Sequence, residues 1–330
     1  MIRLVEKLPV VGASLLGAVF LLTTPVQAQT EVLQLGVITP SAHVWSQLSE
    51  RINDNVQKNS NGSLQVDVNS GGKLGSEQQM IDLLQSGEMQ LGVLSTGGLM
   101  SRDDTLLAWS LPYLFDDVEQ AIQATQLDSA QQMLTHLENH GMLGLGYAFS
   151  GMRHVLSTKP ITEPADLAEL RVRAFNNTAF ESWWTGVGAV PTAVPLPEVN
   201  SALTNDVLDA LDVDLDAVAK SHFYQQAPYL ILTNHMAYPA VIVVSKSYWD
   251  SLDEDQQKLL KKSIKEAEEW GYQRAIEAES DSLAAVQQLG VKINEIDVTP
   301  FQAVASQLQE RYLDGKELKT LFYQQVQEMQ

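Results

Sequence analysis

From Glu31 onward, short apolar runs alternate with stretches in which apolar residues recur every three or four positions. Val32 to Val37 reads as a strand, and Pro40 with Ser41 opens a helix carrying Val44, Leu48, Ile52 and Val56 on one stripe. Leu64 to Val68 alternates strictly, as a half-buried strand does. A helix over Ser76 to Leu84 and a strand over Gln90 to Leu94 follow. This β-α-β-α-β order predicts a mostly parallel sheet covered by helices. Leu111 to Phe115 is an apolar knot ahead of a helix that ends near Asn139, where Gly141 supplies the stop. Met142 to Tyr147 is a further strand.

Around Phe149, Ser150 and Gly151 the pattern predicts a crossing into a second domain. Its strands are Arg153 to Leu156, Leu170 to Ala174 and Leu208 to Val213, and Met236 to Val244 reads as one strand returning to the first domain. Ser251 and Glu254 form a capping box before a helix that runs on to Leu289, with Gly290 beyond it. At 1.5 Å per residue its length is about 50 Å, so it is expected to lie against both domains. The expected division is 29–150, with about 239–275 returning to it, and 151–238, with about 276–330 packed on it. Bending between the two is expected near Phe149, near Asp212 to Asp216, and at Gly271 in the long helix.

The chain has 330 residues, enough for two domains that each bury a core. Residues 1–28 carry Arg3 and Lys7, an apolar run from Leu8 to Leu22, and Val26-Gln27-Ala28. That is a secretory signal peptide with cleavage expected after Ala28, since the apolar run falls short of the ~20 residues a membrane span needs. The formal net charge is −20 and no Lys/Arg cluster occurs, which argues against nucleic-acid and polybasic membrane binding. Absence of cysteine excludes disulfides, thiolate nucleophiles and thiolate metal sites. An exported, cysteine-free chain suits a bacterial periplasm.

Candidate chemistry is sparse. The loop from Gly71 to Gly75 lacks the order of a Walker loop and reads as a tight turn. His136 and His140 share a helical spacing without a third ligand, so they read as solvated, and Ser150 lacks the glycines of a nucleophile elbow. Asp206, Asp209, Asp212, Asp214 and Asp216 fit no calcium loop and read as hinge and surface acids. No catalytic constellation, cofactor motif or metal site emerges. What stands out is the strand Leu170 to Ala174, with Arg171 and Arg173, followed by Asn176 and Asn177 and by Phe180, Trp183 and Trp184. A guanidinium matches a carboxylate in shape and charge. Alternation puts both arginines on one face, so spacing does not choose between them.

The chain resembles the periplasmic substrate-binding receptors of TRAP (tripartite ATP-independent periplasmic) transporters, of the dicarboxylate-receptor or DctP type. Leu74-Gly75 and the helix after it, Leu111 to Phe115, Gly151 to His154, and Lys159 to Ile161 resemble family segments. So do Pro164 to Leu167 with Leu170 to Arg173, Gly188 to Pro191, and Glu198 to Leu203, in order and over nearly the whole mature chain. The resemblance implies an α/β, two-domain periplasmic-binding-protein fold with a ligand cleft between the domains and a long helix spanning both. It implies that Arg173 pairs with a substrate carboxylate, assisted by Arg153 and Asn177, with further side chains around Asp212 and Val213. Glu77, Tyr147, Phe149 and Trp184 complete the candidate ligand contacts. Glu169 replaces the glycine of the family signature. Val213 and Leu94 stand where sialic-acid receptors of this kind carry an amide and a carboxylate, which argues against that ligand.

The function so implied is capture of an organic carboxylate (a small organic acid, keto acid or sugar acid) by a monomeric, non-enzymatic receptor that hands it to small and large membrane subunits. The rival expectations are a periplasmic enzyme acting on a sugar or organic acid, and a receptor feeding a sensor kinase.

Overall fold

The computed structural model describes residues 30–175, 177–315 and 317–329. The expected signal peptide and Asn176 lie outside the described residues. The strands in chain order are β1 (Glu31–Val37), β2 (Leu64–Asn69), β3 (Leu91–Ser95), β4 (Met142–Ala148), β5 (Met152–Ser157) and β6 (Arg171–Ala174). Then come β7 (Val190–Ala193), β8 (Ala210–Asp214), β9 (Tyr229–Ala237), β10 (Ala240–Ser245) and β11 (Lys292–Asn294). They form two sheets, one ordered β2-β1-β3-β10-β4 and the other β11-β9-β5-β8-β6-β7.

The first sheet is parallel where the alternating pattern said it would be, across β2, β1 and β3. It is mixed overall, because β10 enters antiparallel between β3 and β4. Helix α1 (Val44–Asn59) and helix α2 (Glu77–Ser86) make the crossovers. The apolar stripe of α1 is buried as its period requires. The stretch expected as one strand from Met236 to Val244 is two. β9 stays in the second sheet, the chain crosses at Tyr238-Pro239, and only β10 joins the first. Proline cannot donate to a ladder, so the break falls there. The other crossing is at Phe149 to Gly151, between β4 and β5. Asp212 to Asp216, expected at a bend, instead runs from β8 into the short helix Leu215–Lys220 within the second unit.

A helix from Glu254 to Gln288, 35 residues long, lies against both units. Its capping box is Asp253 with Gln256 rather than Ser251 with Glu254, because Ser251 ends the preceding short helix. Leu260, Ile264, Ala267, Ala275 and Ala278 join the first core and Val286 the second. Gly271 does not interrupt it. A β-carbon there would stand 2.9 Å from Leu48 Cδ1, so the glycine lets α1 pack closely. The C-terminal part divides between the units. Helix Thr299–Leu313 places Phe301, Ala305 and Leu308 in a core of the second unit, whereas helix Glu317–Met329 sends Phe322 and Val326 into the first core, not onto the second unit as expected.

Candidate ligand cavity between the two sheets

A cavity of about 370 Å³ opens between the units, within the range of small-molecule sites. It is lined from the first sheet's side by the α1 and α2 N-termini and the end of β3. From the second it is lined by the ends of β6 and β8 and by the chain after β7. The carboxyl ends of strands are where open α/β sheets gather ligands.

Arg173 closes β6 and is buried, 4% exposed. Its Nε donates to the Val194 carbonyl at 2.8 Å, and its guanidinium stacks over Phe175, 4.6 Å from the ring centre. Among the described residues no carboxylate forms an ion pair with it. Burial pushes its pKa down, against the pull of Asp212 and Glu77, yet a guanidinium stays charged. Arg171, two residues earlier, is half-exposed and bound to Asp209 at 2.7 Å. The two arginines that spacing left equivalent are therefore distinct.

Arg153, on β5, also reaches the cavity, but its charge is already met. Nε and Nη2 lie 3.2 Å from Oδ2 and Oδ1 of Asp212, Nη2 donates to the Asp212 carbonyl at 2.6 Å, and Nη1 is 3.5 Å from Asp214. Burial alone would raise Asp212, but Arg153 and then His235 hold it well below the usual carboxylate range. Asp214 is likewise held down against burial, by His43 first and then Arg153. Asp212, Asp214 and Asp216 are thus buried and paired, not surface acids.

The third of these ties the units together. Val44 N–H, at the start of α1, donates to Asp216 Oδ2 at 2.9 Å, and His43 Nε2 stands 3.4 Å from Asp214 Oδ1. The His43 Nδ1 accepts from Trp45 N–H, which leaves Nε2 to donate. On the long helix, Ser282 donates to Asp216, and Glu279 accepts from Met152 N–H at 3.0 Å beside the crossing at Gly151.

On the opposite wall the Glu77 carboxylate accepts from Ser95 N–H at 2.6 Å and from Ser95 Oγ at 2.7 Å. Burial raises its pKa and the Ser95 bonds oppose that. Ser95 Oγ in turn receives the Gly98 N–H and the Tyr238 hydroxyl, so its own hydrogen is committed to Glu77. Tyr238 stacks on Phe175 with ring centres 5.0 Å apart and lies under Arg153.

Of the residues singled out from sequence, Arg173, Arg153, Asn177, Val213 and Glu77 line this cavity, with Asn177 also capping its helix through Ala179 N–H. Asp212 stands behind Arg153. Tyr147, Phe149 and Trp184 do not line it. Tyr147 donates to the Ala130 carbonyl in the first core, Phe149 packs on Trp109 and Tyr272, and Trp184 packs on Trp183 and His235. Large aromatics next to a crossing bury most area in a core, and these do. Sequence reasoning missed Tyr238, Phe175, His43, Trp45 and Ser95. Trp45 is 4% exposed, and its indole N–H has no partner among the described residues.

Two α/β units joined by two strand crossings and a shared helix, with a polar cavity between them, define a solute-binding protein of the two-unit kind. The chain belongs to the DctP family, bacterial extracellular solute-binding protein family 7, which it matches over residues 35–316. It is 26% identical over 280 residues to the 2,3-diketo-L-gulonate-binding periplasmic protein of Escherichia coli (strain K12), covering 83% of this chain and 84% of that one. A TRAP periplasmic solute-binding protein from Sulfitobacter sp. NAS-14.1, solved with β-D-galacturonate, superposes with a TM-score of 0.84 at 26% identity, over 89% of this chain and 100% of that one. The sugar acid binding protein of Advenella mimigardefordensis, solved with galactonate, gives 0.88 at 23% identity over 92% and 99%, a likeness in fold.

Proposed function

We propose that this protein is a periplasmic receptor that captures an organic carboxylate in the cavity through Arg173 and delivers it to the membrane subunits of a TRAP transporter. The observation carrying this reading is a buried guanidinium whose Nη groups have no counter-ion among the described residues, at the edge of a cavity of ligand size. A bidentate carboxylate is the natural occupant of such a fork. Relatives named for 2,3-diketo-L-gulonate and galacturonate support the ligand class. Export by residues 1–28, a monomeric state and action without cofactor belong to the same reading. Arg153 and Asn177 are its supporting contacts, and division near residues 150 and 238 allows the units to close on the ligand.

The test is titration calorimetry of the purified protein with a panel of organic acids. At least one should bind in a one-to-one complex and be recovered unchanged, and Arg173→Ala should weaken it by about tenfold or more. Equal affinity in the variant overturns the assignment, and turnover of the acid favours an enzyme instead.

A further inference from the structure

The charges around the cavity say more than that it takes an anion. Its lining and the groups directly behind it hold two guanidiniums, Arg153 and Arg173, and three carboxylates, Glu77, Asp212 and Asp214. Arg153 is not available to a ligand as a charge, because it is bonded on several sides to Asp212 and Asp214. Arg173 is the guanidinium left without a direct ion pair among the described residues, so the site offers a fork for one ligand carboxylate and its remaining charge is acidic.

The geometry of the facing wall fixes what lies beyond that carboxylate. Glu77 is held as an acceptor by both Ser95 donors: the backbone N–H can only donate, and the hydroxyl takes Gly98 N–H and the Tyr238 hydroxyl on its lone pairs, which leaves its own hydrogen for Glu77. A second ligand carboxylate near Glu77 would bring like charges together in a half-buried site, which disfavours it. A ligand hydroxyl would instead donate to it. The Trp45 indole N–H, unpartnered in the same lining, is free to meet a ligand oxygen acceptor.

Resting on the carboxylate reading above, we propose that Glu77 is a charge filter that makes this site select polyhydroxylated monocarboxylates, of the hexonate or hexuronate class, and reject short dicarboxylates.

The experiment measures dissociation constants of the wild-type protein and Glu77→Gln for D-galacturonate, D-galactonate, succinate and γ-aminobutyrate at neutral pH. The amide keeps an acceptor for Ser95 N–H, and its NH2 can donate to Ser95 Oγ once the Tyr238 hydroxyl turns to accept the Ser95 hydrogen, so the wall should keep its shape. The wild type should prefer a hexonate or hexuronate to succinate by about 100-fold or more. Glu77→Gln should weaken the sugar acid about tenfold and narrow that preference at least tenfold. Succinate binding as tightly as the sugar acids in the wild type overturns the proposal while leaving carboxylate capture standing. An unchanged preference in a folded Glu77→Gln protein overturns it in the same way. Tightest binding of γ-aminobutyrate overturns the hydroxyl assignment, since an ammonium would then be what Glu77 accepts. Binding of none of the four removes the proposal and leaves carboxylate capture to the wider panel of organic acids. If the variant does not fold, the wild-type ratio alone decides.

Discussion

Replacing Arg153 or Arg173 by methionine deletes one buried guanidinium in each case, and the two deletions should have opposite characters. Arg153 and its partners are nearly inaccessible, with side chains 7%, 1% and 5% exposed for Arg153, Asp212 and Asp214. Removing it leaves Asp212 with only His235, and Asp214 with only His43 and the Ala217 N–H, to offset two buried negative charges. Breaking a buried ion pair from one side costs about 3–5 kcal/mol, and the like-charge approach adds to this. Arg173 has no carboxylate partner to strand. Its loss forfeits one charged hydrogen bond to Val194 and the stack on Phe175, which together are worth a few kcal/mol. Relief of a buried, unpaired charge returns a comparable amount. Arg173→Met should therefore change stability by less than about 1 kcal/mol, while Arg153→Met should cost about 3 kcal/mol or more. Urea denaturation of the ligand-free proteins, followed by circular dichroism, measures both. Equal losses, or a loss below about 1 kcal/mol for Arg153→Met, would refute the division of labour between the arginines.

Three further outcomes follow from the backbone and from titration. Gly151 has φ 126°, and a β-carbon there would collide with Glu279 Oε2. Gly151→Ala should accordingly cost about 2 kcal/mol in the same urea titrations, because the backbone is strained and the Glu279 carboxylate must swing away from Met152 N–H. Glu169 sits at φ 64° where the family signature has glycine, so Glu169→Gly should relieve strain and raise stability by about 0.5–1 kcal/mol, read as a higher melting temperature. Asp209 is held down to about 2, first by its bond to Arg171. A depressed folded-state pKa contributes stability that is complete above the unfolded value near 4 and is lost as pH falls toward 2. Acid melts of Asp209→Asn should lose less stability across that window than the wild type, and parallel curves would contradict the assignment.

Much of the scaffold was legible because it rests on local periodicity. The α1 stripe, the β1-β2-β3 parallel set and the long helix all follow from residue spacing. The merged Met236 to Val244 strand shows the limit, since both halves are apolar and only Pro239 marks the change of sheet. The site divided along similar lines. Arg173 lies in a recognisable segment, but its difference from Arg171 depends on Asp209 and Val194, which sequence spacing does not connect to it. The aspartates at 212, 214 and 216 looked like surface acids because their partners, Arg153 and His43, lie some 60 and 170 residues away in the chain. Tyr238 carried a signal that could have been used, an aromatic directly before a proline at a domain crossing.

Helix α1 begins in one unit and is capped from the other, through Val44 N–H and Asp216. Any separation of the units returns both groups to water, so part of the energy difference between apart and together is internal to the protein and indifferent to the solute. Apparent affinity scales with the fraction of molecules already competent to bind. The strength of capture can therefore be reset at Asp216, a position outside the cavity lining, without altering which solute is preferred. Affinity then has one control that lies apart from the residues, Glu77 and Arg173 among them, that would meet the solute.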